Sequence, residues 1–457
     1  MKKMFTVLAF CTLFCFTFPN LLGAQTTPDP ALVAAIAAIK AVDNHAHPLR
    51  ALKEGERDTE WGDLGYHTLE TAATDPGAEM PLVPFRLRPT SPEFMAVWQA
   101  LYGLPRGAVT KEVVQELVQV KRRIRREQAD NYPAWVLDKI GLETMLANRV
   151  VMDRSLPVLR FRWVPYVDAL MFPFSNEAVR QARPDLEPSY VSLERLLKTH
   201  LTDLGLSRLP PSLEGYLARV VTPTLERQKQ GGAVAVKFQT AYVRTLDISN
   251  PSAEQAKRVY DRYVEGGKPT TGETKALQDY LFRTISREAG RLDLAVHIHT
   301  GFGIGRYFDV IDSNPLLLEP VFNDPVLRKT KFVILHGGWP FAKQSAALLL
   351  KPNVYVDFSA IAFLIYPREL SQVLRSWLEI SPDKILFGTD GFEIDPNLPL
   401  LNWEEFTCLG TRSARQALAQ ALTEMMQDSE ITHEEALSIA RKVLRENAVK
   451  LYKLETP

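Results

Sequence analysis

Eight short apolar runs separated by helical stretches constrain this chain more than any other feature. They are the stretch Val42-Asp43-Asn44-His45-Ala46-His47, then Asn148–Met152, Leu159–Val164, Ala233–Phe238, Leu294–His299, Phe332–His336, Val354–Phe358 and Ile385–Thr389. Most are apolar throughout, as parallel strands covered on both faces are. Helical periodicity fills many of the intervals, as in Asp279–Ala289, Ala342–Leu350 and Glu369–Leu378. Strands alternating with helices predict an α/β fold, a (β/α)8 (TIM) barrel, with a doubly wound sheet as the alternative. Two intervals, about residues 50–140 and 170–230, are too long for simple βα loops. They read as helical insertions at the C-terminal mouth, placed to cover a site.

The 457-residue chain is long enough for one large barrel domain, here residues 25–457. Its 54 basic and 54 acidic residues cancel, so nothing in the net charge favours nucleic acid or an anionic membrane as partner. The basic run Lys121-Arg122-Arg123-Ile124-Arg125-Arg126 lies in a helical stretch with Val113, Leu117, Val120 and Ile124 on one face, and reads as its solvated side. At the other end of the chain, Thr432-His433-Glu434-Glu435 has the pattern of a capping box. Residues 1–24 have the layout of a secretory signal peptide. Lys2 and Lys3 precede an apolar run from Met4 to Phe18, and Leu22-Gly23-Ala24 supplies small residues before Gln25. The run is shorter than the roughly 20 residues of a membrane span. The expectation is a periplasmic or secreted protein with no stable membrane anchor after cleavage. Only Cys408 would remain, so no intrachain disulfide is available.

A barrel keeps its chemistry at the C-terminal ends of its strands. The first run ends in His45 and His47, whose alternate spacing projects both imidazoles from one strand face. The fourth carries Lys237 on the face of two small alanines. The fifth carries His297 and His299, the sixth ends in His336 and the last in Asp390. Thus five of the eight histidines stand at strand ends, whereas His67, His200 and His433 fall in loop-like or helical contexts and read as surface residues. Singly, such residues serve as helix caps, loop ion pairs or hydrogen-bonded core groups. Together they suit a divalent ion. Zinc takes neutral imidazoles and a carboxylate and leaves a position for water, whose pKa it lowers toward neutrality. A further histidine then acts as an acid or polarises the substrate oxygen. Arg162, Tyr242, Arg244 and Arg412 are candidates to hold a carboxylate-bearing substrate, with structural ion pairs and caps as the alternative.

The order His-x-His, Lys, His, His, Asp on successive strands resembles the amidohydrolase superfamily of metal-dependent (β/α)8 enzymes, from about residue 41 to 454. The phrases FRWVPYVDAL (161–170), KFQTAYVR (237–244), HIHTGFG (297–303), LHGGWP (335–340), NVYVDFS (353–359), ILFGTD (385–390) and ENAVKLYKL (446–454) are similar to one branch of it. That amidohydrolase-related branch includes the N-terminal domains of glutamine-synthetase-like fusion proteins and some decarboxylases. The resemblance implies that His45, His47 and Asp390 bind metal and that His299 is the ligand from the fifth strand. His297, one step deeper on the same face, would support it by hydrogen bonding. His336 would be a catalytic acid or electrophile beside one ion, or a ligand in a two-ion site. A carbamylated Lys237 would bridge two ions, whereas as an ammonium it would bind a substrate carboxylate. Asp390 would take a proton from water and hand it to the leaving amine.

The expected function is therefore a metal-dependent hydrolase cleaving a C–N amide-like or ester bond of a small, carboxylate-bearing substrate with one or two divalent ions, zinc foremost. A metal-dependent non-oxidative decarboxylase is the alternative within enzymes. A catalytically silent metal-binding scaffold is the alternative outside them. The expected partner is a small molecule, with no nucleic acid, and self-association into a homo-oligomer stays open.

Overall fold

The computed structural model describes residues 27–53, 56–60, 62, 84–88, 91–105, 107–303, 308–393 and 401–455. Residues 1–24, expected from their sequence to be a signal peptide, and His67 lie outside them. The strands are β1 (Ala41–Ala46), β2 (Leu142–Asn148), β3 (Phe161–Val164), β4 (Ala235–Phe238), β5 (Ala295–Ile298), β6 (Phe332–Ile334), β7 (Val354–Asp357) and β8 (Ile385–Leu386). They form two parallel ladders, β1-β2-β3 and β4 through β8 in chain order.

Backbone hydrogen bonds join these ladders into a ring. Between β3 and β4, Val234 N donates to Trp163 O at 3.0 Å, Lys237 N to Pro165 O at 2.9 Å and Val167 N to Lys237 O at 3.0 Å. Between β8 and β1, Asn44 N donates to Phe387 O at 2.8 Å and His47 N to Gly391 O at 2.7 Å. Asp390 N reaches His45 O at 2.6 Å. Eight parallel strands with both seams bonded are a closed (β/α)8 barrel.

The two-residue period of the strands separates two cores. Inside the barrel, Val42, Leu146, Val164, Ala235, Ala295, Val333 and Leu386 pack with Ala448, Tyr452 and Leu454 from the C-terminal segment. Ala235 and Ala295 face each other in register, and their small size leaves room for the Tyr452 ring. Outside, strand residues such as Val236, Val296 and Ile334 meet the helices. The helix Pro367–Leu378 shows how. Leu370, Val373, Leu374 and Trp377 recur at helical spacing and are buried, each contributing about 2 kcal/mol of apolar burial. Thr270 and Thr432 each close a capping box, with Glu273 and Glu435, at the start of Thr271–Arg291 and His433–Arg441. Among the described residues, no helix is long and apolar enough to cross a membrane.

Two sequence expectations need correction. The second strand is Leu142–Asn148, not Asn148–Met152. Gly141, in the left-handed region at φ 83°, ends the helix Tyr132–Ile140 and starts the strand at once, while Val151 lies exposed in the loop that follows. The basic helix Lys111–Gln128 is not solvated along its whole basic side. Lys121 is buried, with Nζ 2.7 Å from Glu405 Oε1 and 3.4 Å from Glu404 Oε1. Arg125 Nη2 lies 2.9 Å from Glu404 Oε1. Tyr102 and Tyr132 donate to the same two carboxylates at 2.6 and 2.9 Å, pinning the first insertion to the helix Trp403–Gln427.

One close approach carries a stability prediction. Gly337 has φ 58°, and a Cβ there would lie 2.3 Å from Trp377 Cη2. Trp377 is fully buried and its Nε1 donates to Ala342 O, so the ring has nowhere to go. Gly337→Ala is expected to destabilise the protein by about 2–4 kcal/mol through overpacking and left-handed strain. Denaturant unfolding of the variant would show it, and an unchanged midpoint would contradict this packing.

Candidate metal centre at the barrel mouth

The ends of β1, β5, β6 and β8 bring imidazoles and a carboxylate together. His45 Nε2 lies 3.0 Å and His47 Nε2 3.2 Å from the same oxygen, Asp390 Oδ1. His336 Nδ1 lies 3.8 Å from Asp390 Oδ2. Donor atoms of His45, His336 and Asp390 fall within 4.8 Å of one another. His299 joins through Nδ1, 3.0 Å from His336 Nε2. Lys237 Nζ, from the end of β4, is 3.2 Å from His45 Nε2.

The backbone turns sharply to achieve this. His336 and Asp390 adopt φ 61° and 54°, left-handed values that cost a non-glycine residue energy and that cluster at working sites. Hydrogen bonds fix the ring orientations. Asn148 Nδ2 lies 2.7 Å from His45 Nδ1, and Tyr166 OH 3.0 Å from His47 Nδ1. Asp43 accepts from His45 N at 3.1 Å and Thr389 N at 2.9 Å, tying the two ligand-bearing strands together.

Protonation follows from burial. The imidazoles of His45, His299 and His297 are pushed well below the usual histidine range by loss of water, with Lys237 nearby adding to it. His336 is pushed down to about 4 for the same reason, although Asp390 opposes the shift. Burial alone would raise Asp390. The neighbouring imidazoles of His336 and His45, with hydrogen bonds from His45 and His47, overcome it and hold this carboxyl well below its usual range. Neutral imidazoles beside an ionised carboxylate are the forms that ligate a divalent ion. Among the described residues His299 Nε2 is buried with no hydrogen-bond partner, as are Asn148 Oδ1 and His297 Nδ1 beside it. The donor set therefore fits a divalent ion.

A family profile described as amidohydrolase matches residues 224–454. The chain belongs to the amidohydrolase family. The matched stretch includes Lys237, His299, His336 and Asp390. His45 and His47 precede it and are tied to this amidohydrolase centre by geometry. The protein fluG of Emericella nidulans is 28% identical over 233 residues, 48% of this chain and 26% of its own length. The chain thus spans about a quarter of that relative. Among solved structures, a Lactobacillus casei protein assigned as a metal-dependent hydrolase superposes with a TM-score of 0.62 at 17% identity, covering 92% of this chain and 97% of its own. Uronate isomerase from Thermotoga maritima gives 0.63 at 14% identity, with 92% and 96% covered. At these identities the likeness concerns the barrel fold. Family membership makes this amidohydrolase an enzyme of hydrolase type, with a divalent metal implied.

Of the substrate-binding candidates, only Tyr242 reaches the site, its ring 4.3 Å from that of His299. Arg244 is turned away to Asp279, 2.6 Å, and Gln278, 3.1 Å. Arg162 Nη2 reaches Glu455 O at 3.4 Å in the C-terminal tail. Arg412 is exposed on the outer helix Trp403–Gln427, in a cleft with Val33 and Glu93. These three arginines are structural or peripheral here. His297 sits beneath the centre, its Nε2 2.7 Å from Tyr452 OH. His200, expected at the surface, has a sealed Nε2, and burial pushes its pKa to about 4. His433 is exposed, as expected. The sequence reading missed Asn148, Tyr166, Asp357 and Ser359. The last two stand at the end of β7 in the phrase NVYVDFS, where polar residues closing a strand were the available signal.

Proposed function

We propose that this amidohydrolase cleaves a C–N amide-like or ester bond of a small, carboxylate-bearing substrate, with zinc as its ion. The observation that carries the proposal is the convergence of His45 Nε2 and His47 Nε2 on one oxygen of Asp390. His45, His47, His299 and Asp390 would hold the ion, which supplies a Lewis acid for a carbonyl and a water acidified toward neutrality. Asp390, ionised and seated among the imidazoles, is the base that takes the proton of the attacking water and returns it to the leaving group. The Tyr242 ring lines the wall beside His299 and orients the substrate.

The test is turnover in oxygen-18 water of the zinc-loaded protein on a panel of N-acyl amino acids and carboxylate esters. Zinc-dependent cleavage with one labelled oxygen in the released acid is expected. Zinc-dependent release of carbon dioxide from carboxylic acids, with no cleavage of the panel, would replace this reading with the decarboxylase.

Lys237 lies among the donors rather than at the outer rim, which supports a place beside the ion. A Lys237→Ala variant is expected to retain less zinc than the wild type by elemental analysis; equal zinc would make Lys237 a substrate contact instead. The signal-like N-terminal stretch supports export to the periplasm or beyond. N-terminal sequencing of protein recovered from that compartment should begin near Gln25; protein found only in the cytoplasm with Met1 intact would contradict export.

A further inference from the structure

A buried chain of hydrogen bonds runs from β7 to the metal centre. Asp357 Oδ1 accepts from His336 N at 2.8 Å, from Ser359 N at 3.2 Å and from Ser359 Oγ at 2.8 Å. Its other oxygen accepts from Asn44 Nδ2 at 2.8 Å. Ser359 Oγ is also 3.0 Å from His336 Nδ1. On the far side of that ring, His336 Nε2 meets His299 Nδ1 at 3.0 Å. Asp357, Ser359, His336 and His299 are all buried.

A serine hydroxyl has one proton, and its placement decides every later one. If it goes to Asp357, Ser359 Oγ accepts from His336 Nδ1–H. His336 Nε2 then accepts from His299 Nδ1–H, and His299 Nε2 is a bare lone pair. If the serine proton goes to His336 instead, the order reverses and His299 Nε2 carries a hydrogen. His299 Nε2 has no hydrogen-bond partner among the described residues in either arrangement, so the choice falls on the serine proton. In the second arrangement Asp357 would lose its hydroxyl donor, and a hydroxyl bond to a carboxylate is stronger than one to a neutral ring. The first arrangement is therefore favoured.

We propose that Asp357 and Ser359 are positioning residues that fix the tautomer of His336 and, through it, that of His299, so that His299 presents a bare Nε2 to a divalent ion. This extends the usual carboxylate–histidine–metal triad by a serine and a second histidine. Asn44 holds the base of the relay. Tyr452, from the C-terminal helix, donates to Asn44 Oδ1 and accepts from His297 Nε2, so the plug inside the barrel braces the carboxylate from below.

The inference rests on the metal-centre reading, and two measurements keep their failures apart. Metal-free wild-type protein labelled with nitrogen-15 histidine is expected to show His336 and His299 protonated at Nδ1 in two-bond proton–nitrogen correlations. Protonation of His336 at Nε2 would overturn the relay, whatever the metal does. In Ser359→Ala the Nδ1–H of His336 loses its acceptor, so its signature should shift toward the other tautomer. Zinc affinity by chelator competition should fall about 10- to 100-fold. Zinc affinity and ring signatures unchanged in that variant would overturn the proposal. Wild-type protein with the expected tautomers that still binds no zinc would leave the relay standing and sink the metal function.

Discussion

Asp390→Asn should lower turnover by about three orders of magnitude or more while the protein stays folded. A positioned general base is worth roughly 10²–10⁴ in rate, and this carboxylate is in addition a ligand to the proposed ion. Asparagine is the informative replacement because residue 390 has φ 54°, a conformation asparagine tolerates better than alanine. The amide keeps an oxygen for His45 and His47 and removes the charge. Thermal unfolding should therefore move by only a few degrees while activity and bound zinc both fall. An Asp390→Asn enzyme with a tenth or more of wild-type activity would remove Asp390 from the proposed chemistry.

Asp58→Ala is expected to cost about 3–5 kcal/mol, the largest stability effect of a single polar substitution foreseen here. Arg149 grips Asp58 with both arms of its guanidinium, at 2.6 and 3.0 Å, and neither side chain is exposed. The same Arg149 donates to Pro48 O at 2.8 Å, one residue beyond His47. Removing the carboxylate leaves a buried cation unpaired and loosens the segment that ends the histidine pair. Burial would raise the Asp58 carboxyl, but the hydrogen bond and charge of Arg149 pull it below its ordinary value. A depressed carboxyl contributes stability above its unfolded pKa, about 4, and loses it as pH falls through the folded one. Urea midpoints should thus separate wild type from Asp58→Ala widely at neutral pH and converge on acidification below about 4. A gap under 1 kcal/mol at pH 7 would contradict this assignment.

What the sequence shows and what it hides follow from the range of the interactions. His45, His47, His299, His336 and Asp390 could be read directly because each closes an apolar run, and a strand end is a local pattern. The eight-strand architecture follows from the same runs, and the one misplaced strand turned on Gly141, whose left-handed conformation ends a helix without an intervening loop. Lys121 and Arg125 look solvated because their partners, Glu404 and Glu405, are nearly three hundred residues away in the chain. Arg244 stands close in sequence to the centre but finds Asp279 on a neighbouring helix. Ser359 closes an apolar run, but it carries no charge, and its contacts with Asp357 and His336 are what give that position a role. Tyr452 reads as one more apolar helix residue until Ala235 and Ala295 are seen to make room for it.

Elemental analysis of the purified wild-type protein beside His45→Asn/His47→Asn, both refolded with zinc and dialysed, tests the central claim most directly. At least one tightly held zinc per wild-type chain is expected, with near none in the double variant and both proteins folded. Equal zinc in the two, or none in the wild type after zinc supplementation, would contradict a metal centre at this barrel mouth.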